Sequence, residues 1–309
     1  MIKQEENIMQ DEEVNFRELW RTLWSRKITI ISVTLVFSVA AIFFALSKPN
    51  IYKASVILTP VSSEGGVGGL AALAGQFGGL ASMAGINLGS GGGDKTNLAL
   101  EIIKSRSFLE SFISKHNLLV PIMAATHWDE MTDKLILDAD IYDQANKKWL
   151  RDVKAPKTPK PSLWEAYREF SDLLSIDYDK KAATIIIDIE YYSPKLAQQW
   201  LEWLIADLNA FMSKQDFKEA QASINYLNNE LSGIKVKAME TVFYQLIEEQ
   251  TKNMMLISVK PEYVLKTIDP PQVPEERAKP NRALIVILGT ILGGMLSIFI
   301  VLLQRRNTK

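Results

Sequence analysis

Apolar and polar positions divide this chain sharply. Two uncharged apolar runs, Ile28–Leu46 and Ala283–Leu303, stand near opposite ends, and the stretch between them has the mixed character of a water-soluble domain. A helix rises about 1.5 Å per residue, so each run is long enough to span roughly 28 to 32 Å, the thickness of a bilayer's hydrocarbon core. The expected order is a tail (1–27), a first transmembrane helix (28–46), an intervening body (47–282), a second transmembrane helix (283–303) and a tail (304–309).

The body has periodicities of its own. Tyr52 to Leu58 reads as a strand ending at Thr59-Pro60, and Thr184 to Tyr191 alternates, with Ile185, Ile187, Ile189 and Tyr191 on one face. Leu98 to His116 reads as a helix, and Ser162 as the cap of a helix from Leu163 to about Leu174. Ser193 caps another helix, with Pro194 at its first position. It runs without a breaker to Leu231. Its first half carries a wide apolar face through Leu196, Trp200, Leu201, Leu204, Leu208 and Phe211. The second half narrows to a seam at Phe217, Ala220, Ile224, Leu227 and Leu231. Gly233 interrupts, and Val236, Met239, Phe243 and Leu246 resume the seam on a second helix that ends before Lys260-Pro261. The pair predicts a helical hairpin (193–258) on a base domain (47–192). Tyr263 to Ile268 is expected to return as a strand beside the first one. The sum is an α+β protein: two transmembrane helices flank an α/β base domain with a long protruding helical hairpin.

Three segments fall outside these patterns. Residues 65–93 are dominated by Gly, Ala and Leu, too Gly-rich for a stable helix and too apolar for a solvated linker; they are expected to form a loop against a partner subunit or near the membrane. In 259–282, after the returning strand, Pro270, Pro271, Pro274 and Pro280 predict a stiff extended connector into the second span, because proline fixes φ and stops a helix. Ahead of the first span, Phe16, Leu19, Trp20, Leu23 and Trp24 recur at helical spacing with Arg on the opposite face, which suits an amphipathic helix among membrane lipid headgroups. An extension of the span itself is the plainer alternative.

Charge sets orientation. Arg17, Arg21, Arg26 and Lys27 precede the first span, and Arg305, Arg306 and Lys309 follow the second, so both tails are expected in the cytoplasm. Lys48, Arg277, Lys279 and Arg282 blunt the asymmetry, but long domains cross membranes largely regardless of charge. The first run is too long for a signal-peptide core and has no A-x-A-like site after it. The chain has no cysteine, which excludes disulfides and Cys zinc sites. The 35 basic and 36 acidic residues are interspersed, so nothing favours nucleic acid as a partner.

Motifs for chemistry are weak. Gly89-Ser-Gly-Gly-Gly-Asp94-Lys95-Thr96 resembles a phosphate loop, but Asp94 replaces a required Gly and would repel phosphate. Asp138-x-Asp140 could hold a divalent cation, a pattern common on solvated surfaces. His116 and His127 have no evident triad or metal partner. Gly289, Gly293 and Gly294 place a G-x-x-x-G in the second span, which allows close helix packing. No catalytic residue, cofactor or metal site is expected.

In order and spacing, FRELWRTLW, the two spans, YKASVILTP, YQLIEEQTKNMML and EYVLKTIDPPQVPEERAKPNRALIV resemble the Wzz-type polysaccharide co-polymerases, the O-antigen chain length determinant proteins. The resemblance covers nearly the whole chain, and the Gly-rich 65–93 segment marks a subset of that family. It implies a non-enzymatic protein of the bacterial inner membrane, with the bulk of the chain in the periplasm. It further implies a ring-like homo-oligomer, such as an octamer, whose neighbours would cover Phe217, Ile224, Leu227, Leu231, Met239, Phe243 and Leu246. The implied partners are the O-antigen polymerase (Wzy) and undecaprenyl-pyrophosphate-linked polysaccharide. The implied role is to set the modal number of sugar repeats. The prolines at 270, 271, 274 and 280 are the candidates for coupling to the polymerase. Two rivals remain: a membrane adaptor of a capsule or exopolysaccharide export system with a separate tyrosine kinase, and a transmembrane sensor. The few residues after the second span carry neither a kinase nor an output module.

Overall fold

A computed structural model of the chain describes residues 23–61, 92–231, 233 and 237–306. The chain divides into two compact units, one of residues 1–50 and 279–309, the other of residues 51–278.

The first unit is built on two apolar helices, α1 (Lys27–Ser47) and a C-terminal helix (Arg282–Arg306). Both are long and apolar enough to cross a membrane, over Lys27–Ser47 and Arg282–Leu303. They pack on each other. A Cβ placed on Gly289 would lie 2.5 Å from Ala41 Cβ, and one on Gly293 would lie 2.5 Å from Phe37 Cβ. Only a residue without a side chain permits that approach. The hydroxyls of Ser38 and Thr290 meet across the same contact at 2.9 Å. Leu23 and Trp24 lie in a short helical turn that Arg26, at φ −110° and ψ 24°, separates from α1.

The second unit is a sheet with helices packed on it. Its strands are β1 (Ile51–Pro60), β6 (Leu174–Asp179), β7 (Thr184–Tyr191), β8 (Leu265–Asp269) and the short β9 (Arg277–Lys279). They run in the order β6-β7-β1-β8, with β9 also paired to β1. β1 and β7 are antiparallel, with Tyr52 opposite Tyr191, Ala54 opposite Ile189 and Val56 opposite Ile187. These residues are buried and their sequence neighbours are less so, as alternation requires when one face is covered. The cover is the first half of α6 (Pro194–Leu231), through Ala197, Trp200, Leu201, Leu204 and Leu208. Trp200 is 1% exposed. Its ring lies 4.3 Å from that of Tyr191 and 6.0 Å from that of Phe170. Its truncation to Ala would cost about 3–5 kcal/mol.

Four further helices complete the unit: α2 (Gly92–Lys104), α3 (Arg106–Lys115), α4 (Leu119–Ala124) and α5 (Leu163–Leu173). The continuous helix expected from Leu98 to His116 is instead two. Ser105 adopts an extended backbone and its side chain accepts from Phe108 N–H, which ends α2 and starts α3. Two small hairpins follow α4, one pairing β2 (Ala125–Asp129) with β3 (Lys134–Leu137), the other β4 (Tyr142–Asp143) with β5 (Lys148–Trp149). Ser162 caps α5 in a reciprocal capping box with Glu165.

At 38 residues, α6 reaches roughly 57 Å. Its far half packs against α7 (Lys237–Val259), so the two form a hairpin. The C-terminal helix of the first unit is then α8.

Candidate functional site

Four groups of residues stand out as candidates in the sequence, and the structure treats them differently. In the span pair, Gly289 and Gly293 lie against α1, whereas a Cβ on Gly294 would meet only Thr34 Oγ1 at 3.9 Å, an ordinary contact. The close approach therefore runs along Gly289 and Gly293, and Gly294 lies beside it.

On the hairpin the seam is divided. Ile224 is buried, and Leu227, Leu231, Phe243 and Leu246 are half-buried on the two packed helices. These positions are largely occupied within one chain. Phe217 and Met239 remain exposed at 37% and 52%, with Tyr226, Tyr244, Met255 and Val259 also exposed along the hairpin. Coiled-coil spacing alone could not separate the intrachain contact from an outward stripe, because both follow the same 3-4 periodicity.

The proline segment is more than an extended strap. Pro270 is exposed, Pro271 is buried, and Pro274 and Pro280 are half-buried. The Pro271 carbonyl accepts from Gln198 Nε2 of α6 at 3.4 Å. Past Pro274 the chain forms β9 on β1. The connector is thus partly a piece of the sheet domain, which the proline count concealed.

Of the interfacial stripe, Leu23 is half-buried and Trp24 is 63% exposed, with the Lys27 ammonium 5.3 Å from the Trp24 ring centroid. Phe16, Leu19 and Trp20 lie outside the described residues, as does the Gly-rich segment up to residue 91. Gly92 already begins α2, so the loop expected to reach residue 93 ends earlier.

The weak chemical motifs have structural uses. Asp94, Lys95 and Thr96 lie in α2, and Lys95 Nζ binds Asp216 Oδ2 of α6 at 2.6 Å. Tyr263 donates its hydroxyl to the same carboxylate at 2.5 Å. Burial and that hydrogen bond push the Tyr263 phenol up to about 12. For Lys95, burial is the largest single influence and lowers the pKa, but the hydrogen bond and charge of Asp216 together with Tyr263 outweigh it and the net shift is upward. Asp138 Oδ1 accepts from Asp140 N–H at 2.9 Å, a local turn. His116 caps α3, stacks on Trp203 at 4.3 Å and meets Asp207 Oδ2 at 2.9 Å. His127 Nδ1 lies 3.1 Å from Thr126 Oγ1.

One feature was missed altogether. An open cleft of about 350 Å³ in the sheet domain is lined by Tyr52, Trp128, Glu130, Asp133, Pro194, Lys195, Val273, Pro274 and Glu275. Trp128 meets Tyr52 edge to face at 5.6 Å, and its indole N–H donates to Asp133 Oδ1 at 3.2 Å. Asp133 is also ion-paired with Lys195, whose ammonium holds the carboxyl below its usual range. These residues come from β1, the β2–β3 hairpin, the start of α6 and the proline segment. No local pattern joins positions so far apart in sequence.

Two family descriptions match separate parts of the chain. Residues 12–116 match the family described as chain length determinant protein (Wzz). Residues 234–306 match the family described as G-rich domain on putative tyrosine kinase (GNVR). Among solved structures, the chain is similar to a full-length bacterial polysaccharide co-polymerase at 15% identity, over 94% of this chain and 97% of that one, with a TM-score of 0.38. It is also similar to a fragment of WzzB, a polysaccharide co-polymerase from Salmonella Typhimurium, at 14% identity, over 74% of this chain and 100% of that one, with a TM-score of 0.31. No curated protein matches the chain in sequence.

Proposed function

We propose that this chain, whose residues 12–116 match the chain length determinant (Wzz) family, acts as a polysaccharide co-polymerase and sets the modal chain length of lipopolysaccharide O-antigen as a non-enzymatic partner of the polymerase Wzy. On this reading it is an inner-membrane protein with both tails in the cytoplasm and residues 47–282 in the periplasm. The observation that carries it is the family match over residues 12–116, which includes α1 and β1. The second apolar helix near the other end of the chain supports a two-span anchor.

The reading extends to assembly. Homo-oligomerisation, as a ring of identical subunits, would cover the exposed Phe217 and Met239 on the hairpin. The growing undecaprenyl-pyrophosphate-linked polysaccharide is the substrate of the partner polymerase, and the prolines from 270 to 280 are the proposed coupling segment. The domain limits read from the sequence (1–27, 28–46, 47–192, 193–258, 259–282, 283–303, 304–309) are proposed as the functional divisions.

One observation favours a second reading. The match over residues 234–306 is to a domain named for its occurrence on putative tyrosine kinases. It supports an adaptor role in capsule or exopolysaccharide export alongside a separate kinase. A lipopolysaccharide gel of a deletion strain separates the two. Loss of the modal cluster with short chains still made supports the O-antigen regulator. An intact mode with lost capsule sinks it and supports the adaptor.

A further inference from the structure

We propose that the cleft between Trp128 and Glu275 is a saccharide-binding site, taking a neutral or amino-sugar ring of the polysaccharide whose length the protein regulates. The proposal rests on the reading above for the identity of the polymer, and on the cleft's own chemistry for the class of ligand.

A sugar ring has two kinds of surface. Its C–H groups form an apolar face with slight positive charge, which suits the electron-rich face of an aromatic ring. Its hydroxyls circle the edge and need hydrogen-bond acceptors and donors. The cleft supplies both. Tyr52 and Trp128 pair edge to face at 5.6 Å, and half-buried Trp128 forms part of the wall. Glu130 and Glu275 line the same cleft, are exposed, and make no hydrogen bond or ion pair with other described residues. Each carboxylate can accept from two hydroxyls. A concave surface with an aromatic wall and a few convergent polar groups is the ordinary composition of a small-ligand site.

The rim also selects against other ligands. Three carboxylates, Glu130, Asp133 and Glu275, face one ammonium, Lys195, and that ammonium is already paired with Asp133. Phosphate, a nucleotide or a uronic acid would meet net negative charge and no free cation in the cleft lining. The Lys195–Asp133 pair links the β2–β3 hairpin to the start of α6, and the Trp128 indole bond to Asp133 ties the ring to the turn of that same hairpin. They fix the wall before a ligand arrives, so little ordering cost falls on binding.

The test uses the full chain in lipid nanodiscs and isothermal titration calorimetry. The probe is a size series of oligosaccharides, one to four repeats, released by mild acid from the surface polysaccharide of the source strain. Saturable binding by the wild type is expected, weakened tenfold or more in Trp128→Ala and threefold or more in Glu130→Gln and Glu275→Gln, and retained within threefold in Trp128→Phe. The two glutamate variants change exposed side chains and keep the test decisive if Trp128→Ala does not fold. Wild type that binds no member of the series, or glutamate variants that bind as wild type does, overturns the site. Failure of the broader reading looks different, because a deletion strain would then keep its modal cluster whatever the calorimeter shows.

Discussion

Asn209 holds Leu265 by both of its backbone groups. Its Nδ2 donates to the Leu265 carbonyl at 3.0 Å, and its Oδ1 accepts from the Leu265 N–H at 3.1 Å. The same oxygen takes Val264 N–H at 2.8 Å and Tyr263 N–H at 3.1 Å. Asn209 is 3% exposed, so one buried amide on α6 satisfies the chain as it enters β8. Asn209→Ala would strand several of these groups away from water, at about 1–3 kcal/mol each before relaxation. A net loss of about 2–4 kcal/mol is expected, read as a fall of roughly 5–12 °C in the unfolding temperature of the detergent-solubilised protein. An unchanged unfolding temperature would show that β8 is held by its pairing with β1 alone.

That asparagine marks the limit of what the sequence disclosed. The apolar spans, the alternating strand at Thr184–Tyr191, the Ser162 cap and the long α6 were legible because each is written in a local period or a cap. Asn209 interrupts an apolar helix face and carries no local sign that its partner lies some fifty-five residues on. β6 was missed although Leu174, Ile176 and Tyr178 alternate, since a six-residue stretch directly after a helix has no boundary of its own. The break at Ser105 hid inside a run with good helical periodicity. The cleft needed four separate segments to meet, and the division of the hairpin seam needed both helices in place.

The glycines of the second span make a sharper test than their motif alone would allow. With Ser38 and Thr290 in contact at 2.9 Å and no native cysteine, the double variant Ser38→Cys/Thr290→Cys should cross-link within one chain under mild oxidation in native membranes. Gly293→Leu forces a side chain into Phe37, where even a Cβ would lie 2.5 Å from its neighbour. It should reduce that cross-link severalfold and shift the polysaccharide length distribution. Full cross-linking with an unchanged sugar ladder would remove the span contact from the mechanism.

Replacing prolines 270, 271, 274 and 280 with Ala relaxes the connector. Each substitution is expected to cost about 0.4–1 kcal/mol, chiefly by enlarging the unfolded ensemble. Pro271, being buried, should cost more than exposed Pro270. Membrane insertion, judged by fractionation and protease protection, should persist while the modal chain length changes. A normal ladder in the quadruple variant would reduce the segment to a spacer.

Acid should strip the fold of the support that ionised Glu165 gives. Its carboxylate accepts from Ser162 N–H at 3.0 Å and pairs with Arg151 and Lys157, each at 3.1 Å. The Ser162 bond first, then Arg151, draw its pKa from the usual 4.5 down to about 2. A carboxyl depressed in the folded state stabilises the fold above its unfolded pKa, and that contribution fades as pH falls from about 4.5 toward 2. The full shift corresponds to about 3 kcal/mol, and the mobility of exposed Lys157 argues for the lower part of a range of about 1–3. Glu165→Gln keeps an acceptor for Ser162 but loses the charge that Arg151 faces. It should lower the unfolding temperature by a few degrees at pH 7, with the gap to wild type narrowing steadily between pH 5 and pH 3. A gap of constant size across that interval would mean that the cap is held by shape and neutral hydrogen bonding, with the charge contributing nothing.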